Sequence, residues 1–459
     1  MNKLRNALAV AVLAALAAAS SAQAADLIPV NLDGANEGYN DNTPATPVGG
    51  NYGTTKGEQR RIVAQYAAAM WGSVLKSDQP IYIAAQFNPL GANVLGSAGA
   101  VTVHANFGNA PVANVWYPAA LADAISGIDL APTSYDISSQ FSSDFSFYYG
   151  LDGKTPAGQI NFLDVVMHEF GHGLGFQNFE TEATGAFLSG RADTYDNTTG
   201  KFWTAMTQAE RVTSALNYGN VVFTGANATA GAKLLLDDRK DFRVTAPAPV
   251  AGNYAIGSVT FGPLISTTNF NGQVVLGTDS VGTPGDGCEA ITSNVAGKIA
   301  LIDRGVCTIA IKTKNAQDAG AIGVIIANNA AANPPPNFSG VDPTITIPTI
   351  VVTQAAGTSF KANLPMTVTY VVDATKWQGA DDLGRPRLFM PNPVQSGSSG
   401  SHYDNNAMPN LLMEPAINDS LRSYYNLDIT PHLLKDIGWQ LNTASAKIGS
   451  PSVPDCDTG

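Results

Sequence analysis

The feature that most constrains this chain is an apolar helical run that carries two histidines and a glutamate. Phe162, Val165, Val166, Phe170 and Leu174 recur at helical spacing, which predicts a helix from Ile160 to Leu174 with Gly173 and Gly175 marking its end. Within it stands Val166-Met-His168-Glu169-Phe-Gly-His172-Gly-Leu-Gly175. Residues four apart share a helix face, so both imidazoles project together. The whole sequence has only five histidines. Chance is a poor account of two of them in register with a glutamate inside one apolar helix.

That spacing lets two imidazoles hold one Zn²⁺ at about 2.0–2.1 Å. Glu169 is beside the first histidine without being a ligand, and is positioned to take a proton from a water that the metal has acidified. Glycines at 171, 173 and 175 cost helix stability, so they imply a demanded close approach or a sharp turn. A structural site needs four protein ligands, whereas a catalytic one needs three and an open position. The third ligand therefore decides the class of chemistry.

Elsewhere the pattern is that of an α+β domain interrupted by a β-rich one. Glu58 to Leu75 reads as a helix, Ile81 to Phe87 and Ala100 to Phe107 as strands, and Asp26 to about Gly53 as an extended leading segment. A further helix is expected at Met206 to Leu216. From about Arg243 short Val/Ile/Thr/Gly runs take over, including Lys298 to Asp303 and Gly323 to Asn328. Ile311 to Ala321 between them is a crossover helix, so a βαβ element is expected. Near Lys376 to Arg385 the residue pattern of the N-terminal part resumes, which makes the β-rich piece an insertion.

The run His168-Glu-Phe-Gly-His172-Gly-Leu-Gly175 resembles the metzincin form of the motif, where a further His or Asp follows at the next helical step after the glycine. Here Asn178, a weak neutral ligand, occupies that place. Farther on, Ser398-Ser-Gly-Ser-His402-Tyr-Asp-Asn-Asn-Ala-Met-Pro-Asn-Leu-Leu-Met413-Glu-Pro415 is similar to leishmanolysin-like metzincins, in which a long insertion precedes the third histidine. That resemblance implies His402 as third zinc ligand, Met413 as the residue of a methionine turn beneath the metal, and a terminal helix ending at Gly438-Trp439. Gly297-Lys-Ile-Ala-Leu-Ile-Asp-Arg-Gly305-Val-Cys-Thr and Asn315-Ala-Gln-Asp-Ala-Gly320-Ala-Ile-Gly-Val-Ile-Ile-Ala-Asn-Asn329 resemble a protease-associated (PA) domain over roughly 243–375. Such a domain implies a role in substrate positioning or access.

The implied architecture is an α+β, metzincin-like zinc protease split by an inserted PA domain: a signal peptide at 1–24, catalytic parts at 25–242 and 376–440, the insertion at 243–375 and a tail at 441–459. The implied activity is that of a secreted zinc endopeptidase on protein or peptide substrates, with Glu169 as base and His168, His172 and His402 on the metal. Lys3 and Arg5 ahead of the apolar run Ala7 to Ala19, with Ala22-Gln-Ala24 after it, predict export, and no stretch is long enough to span a membrane. Loss of that segment leaves 23 basic against 37 acidic residues, a net charge of −14 in place of −12, so nucleic acid is not an expected partner. Export permits disulfides, and Cys288 with Cys307 is the natural pair, leaving Cys456 in the tail.

Other residues take blander roles. Glu210 could serve as a distant carboxylate ligand, but Thr207-Gln-Ala-Glu210 reads more simply as a helix start. Gly357-Thr-Ser359 lacks the Asp and His motifs of a serine protease, and Asp237-Asp238 and Asp381-Asp382 read as surface. His104 and His432 are assigned no role. The competing functions are an inactive secreted PA-domain binding protein and a zinc hydrolase of non-peptide substrates.

Overall fold

A computed structural model describes residues 24–196, 202–417, 421 and 427–442. The expected signal segment, apart from Ala24, and the tail from 443 onward with Cys456 lie outside the described residues. The first sheet is built from β1 (Leu27–Asn31), β2 (Ile81–Asn88), β3 (Gly96–Ala100) and β4 (Ile137–Ser142) in the order β1-β2-β4-β3. β1, β2 and β4 run parallel, and β3 is an antiparallel edge strand. The helices of this part are α1 (Lys56–Val74), α2 (Ala119–Ser126) and α3 (Phe162–Gly173). A capping box between Thr55 and Glu58 starts α1, whose buried stripe of Val63, Ala67, Met70, Trp71 and Val74 faces the core. Trp71 Nε1 donates to the Met167 carbonyl at 3.0 Å and joins α1 to α3.

Three local expectations need correction. The leading segment is not merely extended, because Leu27–Asn31 pairs with β2. Ile160–Asn161 belongs to a short parallel pairing with Phe147–Tyr148, and the Asn161 side chain then caps α3 by accepting from Leu163 N. Ala100 to Phe107 is not one strand, since the strand on the sheet is Gly96–Ala100 and only Val103–His104 pairs later, with Tyr117–Pro118. Asn106 at φ 58° turns the chain out of any continuous ladder.

Two further helices, α4 (Gln208–Ala215) and α5 (Ala226–Leu235), lead to a seven-stranded sheet. Its strands are β5 (Asp238–Ala246), β6 (Gly252–Tyr254), β7 (Gly272–Leu276), β8 (Ile299–Asp303), β9 (Gly323–Ala327), β10 (Thr349–Val352) and β11 (Met366–Trp377), in the order β6-β5-β11-β7-β8-β9-β10. β8, α6 (Ile309–Asp318) and β9 form the crossover, with β8 and β9 parallel, and α7 (Gln354–Ala362) follows β10. Antiparallel pairing of β5 with β11 sets Asp238 opposite Trp377, so the chain leaves and returns at neighbouring points. Cys288 and Cys307 form a disulfide, with Cα atoms 5.8 Å apart.

Core composition follows the same division. One apolar core takes residues from Ala25 to Leu236 and resumes from Ala380 to Leu441. Two others, drawn from Phe242 to Val368 and from Phe261 to Val351, belong to the seven-stranded sheet. The last helix, α8 (Thr430–Ile437), ends at Gly438 with φ 128°, and Trp439 Nε1 donates to the Leu174 carbonyl at 2.7 Å. The returning chain is thereby tied to the end of α3. No helix among the described residues is long and apolar enough to cross a membrane.

Candidate metal centre

Helix α3 projects His168 and His172 from one face, and the chain after the seven-stranded sheet brings His402 against them. Their Nε2 atoms lie 3.0 Å apart between His172 and His168, and 3.2 Å apart between His168 and His402. Each Nδ1 is engaged by a backbone carbonyl: Leu412 for His168 at 2.6 Å, Phe176 for His172 at 2.7 Å and Ser398 for His402 at 2.8 Å. A carbonyl only accepts, so every Nδ1 is the protonated nitrogen and the three Nε2 lone pairs face one another. Burial pushes His168 down to about 4 and His402 down to about 3, and holds His172 well below its ordinary value. The rings are therefore neutral, the form that binds metal.

Three converging lone pairs with no proton between them repel unless a cation sits among them. A tetrahedral ion with nitrogen ligands at 2.0–2.1 Å holds those nitrogens about 3.3–3.4 Å apart, close to the separations seen here. The donor set fits zinc.

Beneath the histidines the turn Leu411–Glu414 buries Met413 completely. A Cβ at Gly171 would fall 2.6 Å from Met413 Sδ, and one at Gly173 would strike Ile137 of β4. These two glycines serve close approach, as their cost to the helix implied, and Gly175 takes φ 118° where the chain turns away. Glu414 accepts from Leu411 N at 2.7 Å, and Asp428 accepts from Leu412 N at 2.5 Å. Because Leu412 also supplies the carbonyl that orients His168, Asp428 positions a candidate ligand through one residue. Sequence reasoning misses it, although an acid shortly before Thr430-Pro431 is a common mark of a helix start.

Glu169 is buried beside the histidines, and burial pushes its carboxyl up to about 8. Edge strand β3 lies against it: a Cβ at Gly96 would stand 2.6 Å from Glu169 Oε1. Gly96 carries no signal in the sequence. A cleft of about 540 Å³ opens over this group, lined by Leu95 to Ala98 on one side, Ser396 to Ser399 on the other, and Glu169 with the three histidines at its floor.

The remaining candidates fall elsewhere. Asn178 donates through Nδ2 to Glu182 at 3.2 Å, and its backbone N donates to Ser401 Oγ at 3.1 Å, so it props the loop that carries His402. Glu210 forms a capping box with Thr207 at the start of α4. His104 pairs with Thr102 Oγ1 at 3.0 Å, and His432 packs against Gly231. Asp381 is bound by Arg385, Asp382 by Arg239 and Lys376, and Asp237 faces Lys240 at 3.9 Å.

The PA domain family matches residues 270–360, and a family described as SPBPB7E8-like matches residues 109–225, which contain α3. No curated protein matches the chain. Among solved structures it is similar to BSAP, a zinc aminopeptidase from Bacillus subtilis, at 22% identity over 32% of this chain and 36% of that one, with a TM-score of 0.24. An aminopeptidase from Aneurinibacillus sp. strain AM-1 matches at 23% identity over 32% and 36%, TM-score 0.22. The subtilisin-like protease Apa1 from Pseudoalteromonas sp. AS-11 matches at 21% over 31% and 34%, TM-score 0.22. The chain thus spans about a third of the length of the structures it resembles. What the chain carries is a PA domain within a mixed α/β protein.

Proposed function

We propose that this protein is a zinc endopeptidase of the leishmanolysin-like metzincin type, with His168, His172 and His402 as metal ligands and Glu169 as general base. The observation that carries the reading is the convergence of three Nε2 atoms whose Nδ1 partners are all backbone carbonyls. When bound, zinc would supply Lewis-acid polarisation of a scissile carbonyl and acidify a water. A cation held by the three histidines would favour the Glu169 carboxylate over the acid that burial alone favours, and Glu169 would then take a proton from that water and pass it to the leaving nitrogen. Edge strand β3 offers backbone groups along the cleft to an extended peptide, the way a sheet edge accepts an added strand. Met413 packs under the helix at Gly171 and fixes the floor.

The catalytic domain in this reading comprises 25–242 and 376–440, and residues 243–375 are an inserted PA domain that governs which proteins reach the cleft. The shared core of the two flanking parts supports it. Export is supported by the Cys288–Cys307 disulfide, which suits an oxidising compartment.

The test is metal analysis of the purified full chain combined with casein hydrolysis, with and without chelator, for the wild type and Glu169→Gln. The variant keeps the shape but not the base, so zinc should remain at wild-type stoichiometry while turnover falls by about 10²–10⁴-fold or more. Zinc-free protein that hydrolyses casein, or near-normal turnover by the variant, would sink the proposal.

A further inference from the structure

The PA domain holds a second group of converging ligand atoms, far in sequence from the histidines. Asp279, Asp286 and Glu289 each place a carboxylate oxygen within 4.8 Å of the others. Asp279 and Asp286 are both only 5% exposed, whereas Glu289 is exposed. Backbone amides take up part of the buried charge: Asp279 Oδ2 accepts from Gly287 N at 3.0 Å, and Asp286 Oδ1 accepts from Cys288 N at 2.9 Å. Asp279 Oδ1 is buried and has no hydrogen-bond partner. A buried carboxylate oxygen left without a donor is costly unless a cation meets it.

The neighbouring cation does not fill that role. Lys312 is fully buried, but its ammonium donates to the Asp286 backbone carbonyl and lies 3.3 Å from Cys288 Sγ. Among the described residues no lysine or arginine nitrogen comes within 4.0 Å of a carboxylate oxygen of Asp279, Asp286 or Glu289. Three carboxylates beside one ammonium leave a local charge of about −2, which a divalent ion would neutralise.

We propose that this loop binds one Ca²⁺ through Asp279, Asp286 and Glu289. All-oxygen ligands select a hard cation. Adjacent oxygens around a calcium ion at 2.3–2.6 Å stand about 3.3–3.7 Å apart and opposite ones about 4.6–5.2 Å, so three carboxylate oxygens all within 4.8 Å of one another can share one ion. Magnesium would require shorter, near-octahedral bonds. The ion joins two turns of the segment from Asp279 to Glu289, and Cys288 within that segment is already tied to Cys307. Ion and disulfide therefore clamp the same surface loop of the PA domain.

The test uses zinc-loaded full-length protein, freed of calcium and titrated with CaCl₂ by calorimetry, with thermal unfolding followed in parallel. The expected result is one Ca²⁺ per chain with Kd of about 10⁻⁴–10⁻³ M, as in other extracellular modules. Asp279→Asn should weaken binding at least tenfold. Glu289→Gln, at an exposed position that does not endanger folding, should weaken it severalfold and reduce the calcium-dependent rise in Tm. Asp342→Asn, an exposed acid elsewhere in the domain, should bind as the wild type does. Absence of calcium uptake by the wild type, or unchanged affinity in Glu289→Gln together with Asp279→Asn, would overturn the proposal. Loss of zinc from His168→Ala with calcium uptake retained would separate this site from the histidine centre.

Discussion

Gly96→Ala perturbs the candidate centre through a single methyl group on a strand that touches none of the histidines' ring nitrogens. The added Cβ would lie 2.6 Å from Glu169 Oε1, 2.8 Å from Cγ and 2.9 Å from Cδ. Non-bonded carbon contacts are comfortable at about 3.5–4.0 Å, so the Glu169 arm must retreat by roughly 0.7–1 Å. A displacement of about 1 Å in a catalytic group can cost 10²-fold in rate, equivalent to about 2.7 kcal/mol of transition-state stabilisation. Gly96 is half-buried on an edge strand and has no left-handed backbone angle, so alanine there should leave the fold intact. The assay is kcat/KM on a fluorogenic peptide, alongside zinc content and Tm. The expected outcome is a fall in kcat of about 10²-fold with full zinc and little change in Tm. In a Glu169→Gln background the same substitution should cost almost nothing more, because the group it displaces is already disabled. Wild-type turnover by Gly96→Ala, or an additional large loss in the double variant, would refute the contact between Gly96 and Glu169 as the cause.

The other expectations concern separate parts of the molecule. His402→Ala should lose zinc and activity, whereas Asn178→Ala should keep zinc, since Asn178 engages Glu182 and Ser401 and not the metal position; atomic absorption on folded protein distinguishes them. Replacing 243–375 by a short flexible linker should spare zinc and the cleavage of small peptides while altering which whole proteins are cut; zinc loss from a folded deletion would refute this. Burial, with Asp123 nearby, raises the Asp136 carboxyl from 3.8 towards about 7, so the folded chain retains a proton that the unfolded chain has released. That contribution to stability is fully present below about pH 4 and is lost as pH rises through about 7. Asp136→Asn should therefore flatten the dependence of Tm on pH over that window, and an unchanged slope would exclude the assignment.

Legibility varies with how local the determining interactions are. The α3 helix can be read because five apolar residues mark one face and the histidine spacing is set by helix geometry alone. β3 cannot be read: Gly-Ser-Ala-Gly-Ala has weak strand preference and is held extended by pairing with β4, a partner some forty residues on. The more alternating Val101, Val103, Ala105 and Phe107 mislead for the same reason, since Asn106 turns the chain where side-chain pattern alone predicts continuation. The crossover β8-α6-β9 lies within thirty residues and is visible in outline, with α6 starting at Ile309 and not at Ile311. The disulfide, closing a short loop, is legible as well.

The histidine centre combines both regimes. His168 and His172 are placed by one helix, but His402 is 230 residues beyond His172 and can meet them only if the intervening chain starts and ends at neighbouring points. The β5–β11 pairing performs that return, setting Asp238 opposite Trp377. No periodicity within 376–440 reveals this, because the pairing depends on two strands separated by an entire sheet. Orientation of the rings is equally non-local: His168 depends on the Leu412 carbonyl, and the Leu412 amide is fixed in turn by Asp428. Removing Asp428 would leave every candidate ligand in the sequence and still loosen one of them, because the aim of the rings depends on backbone carbonyls that only the folded chain aligns.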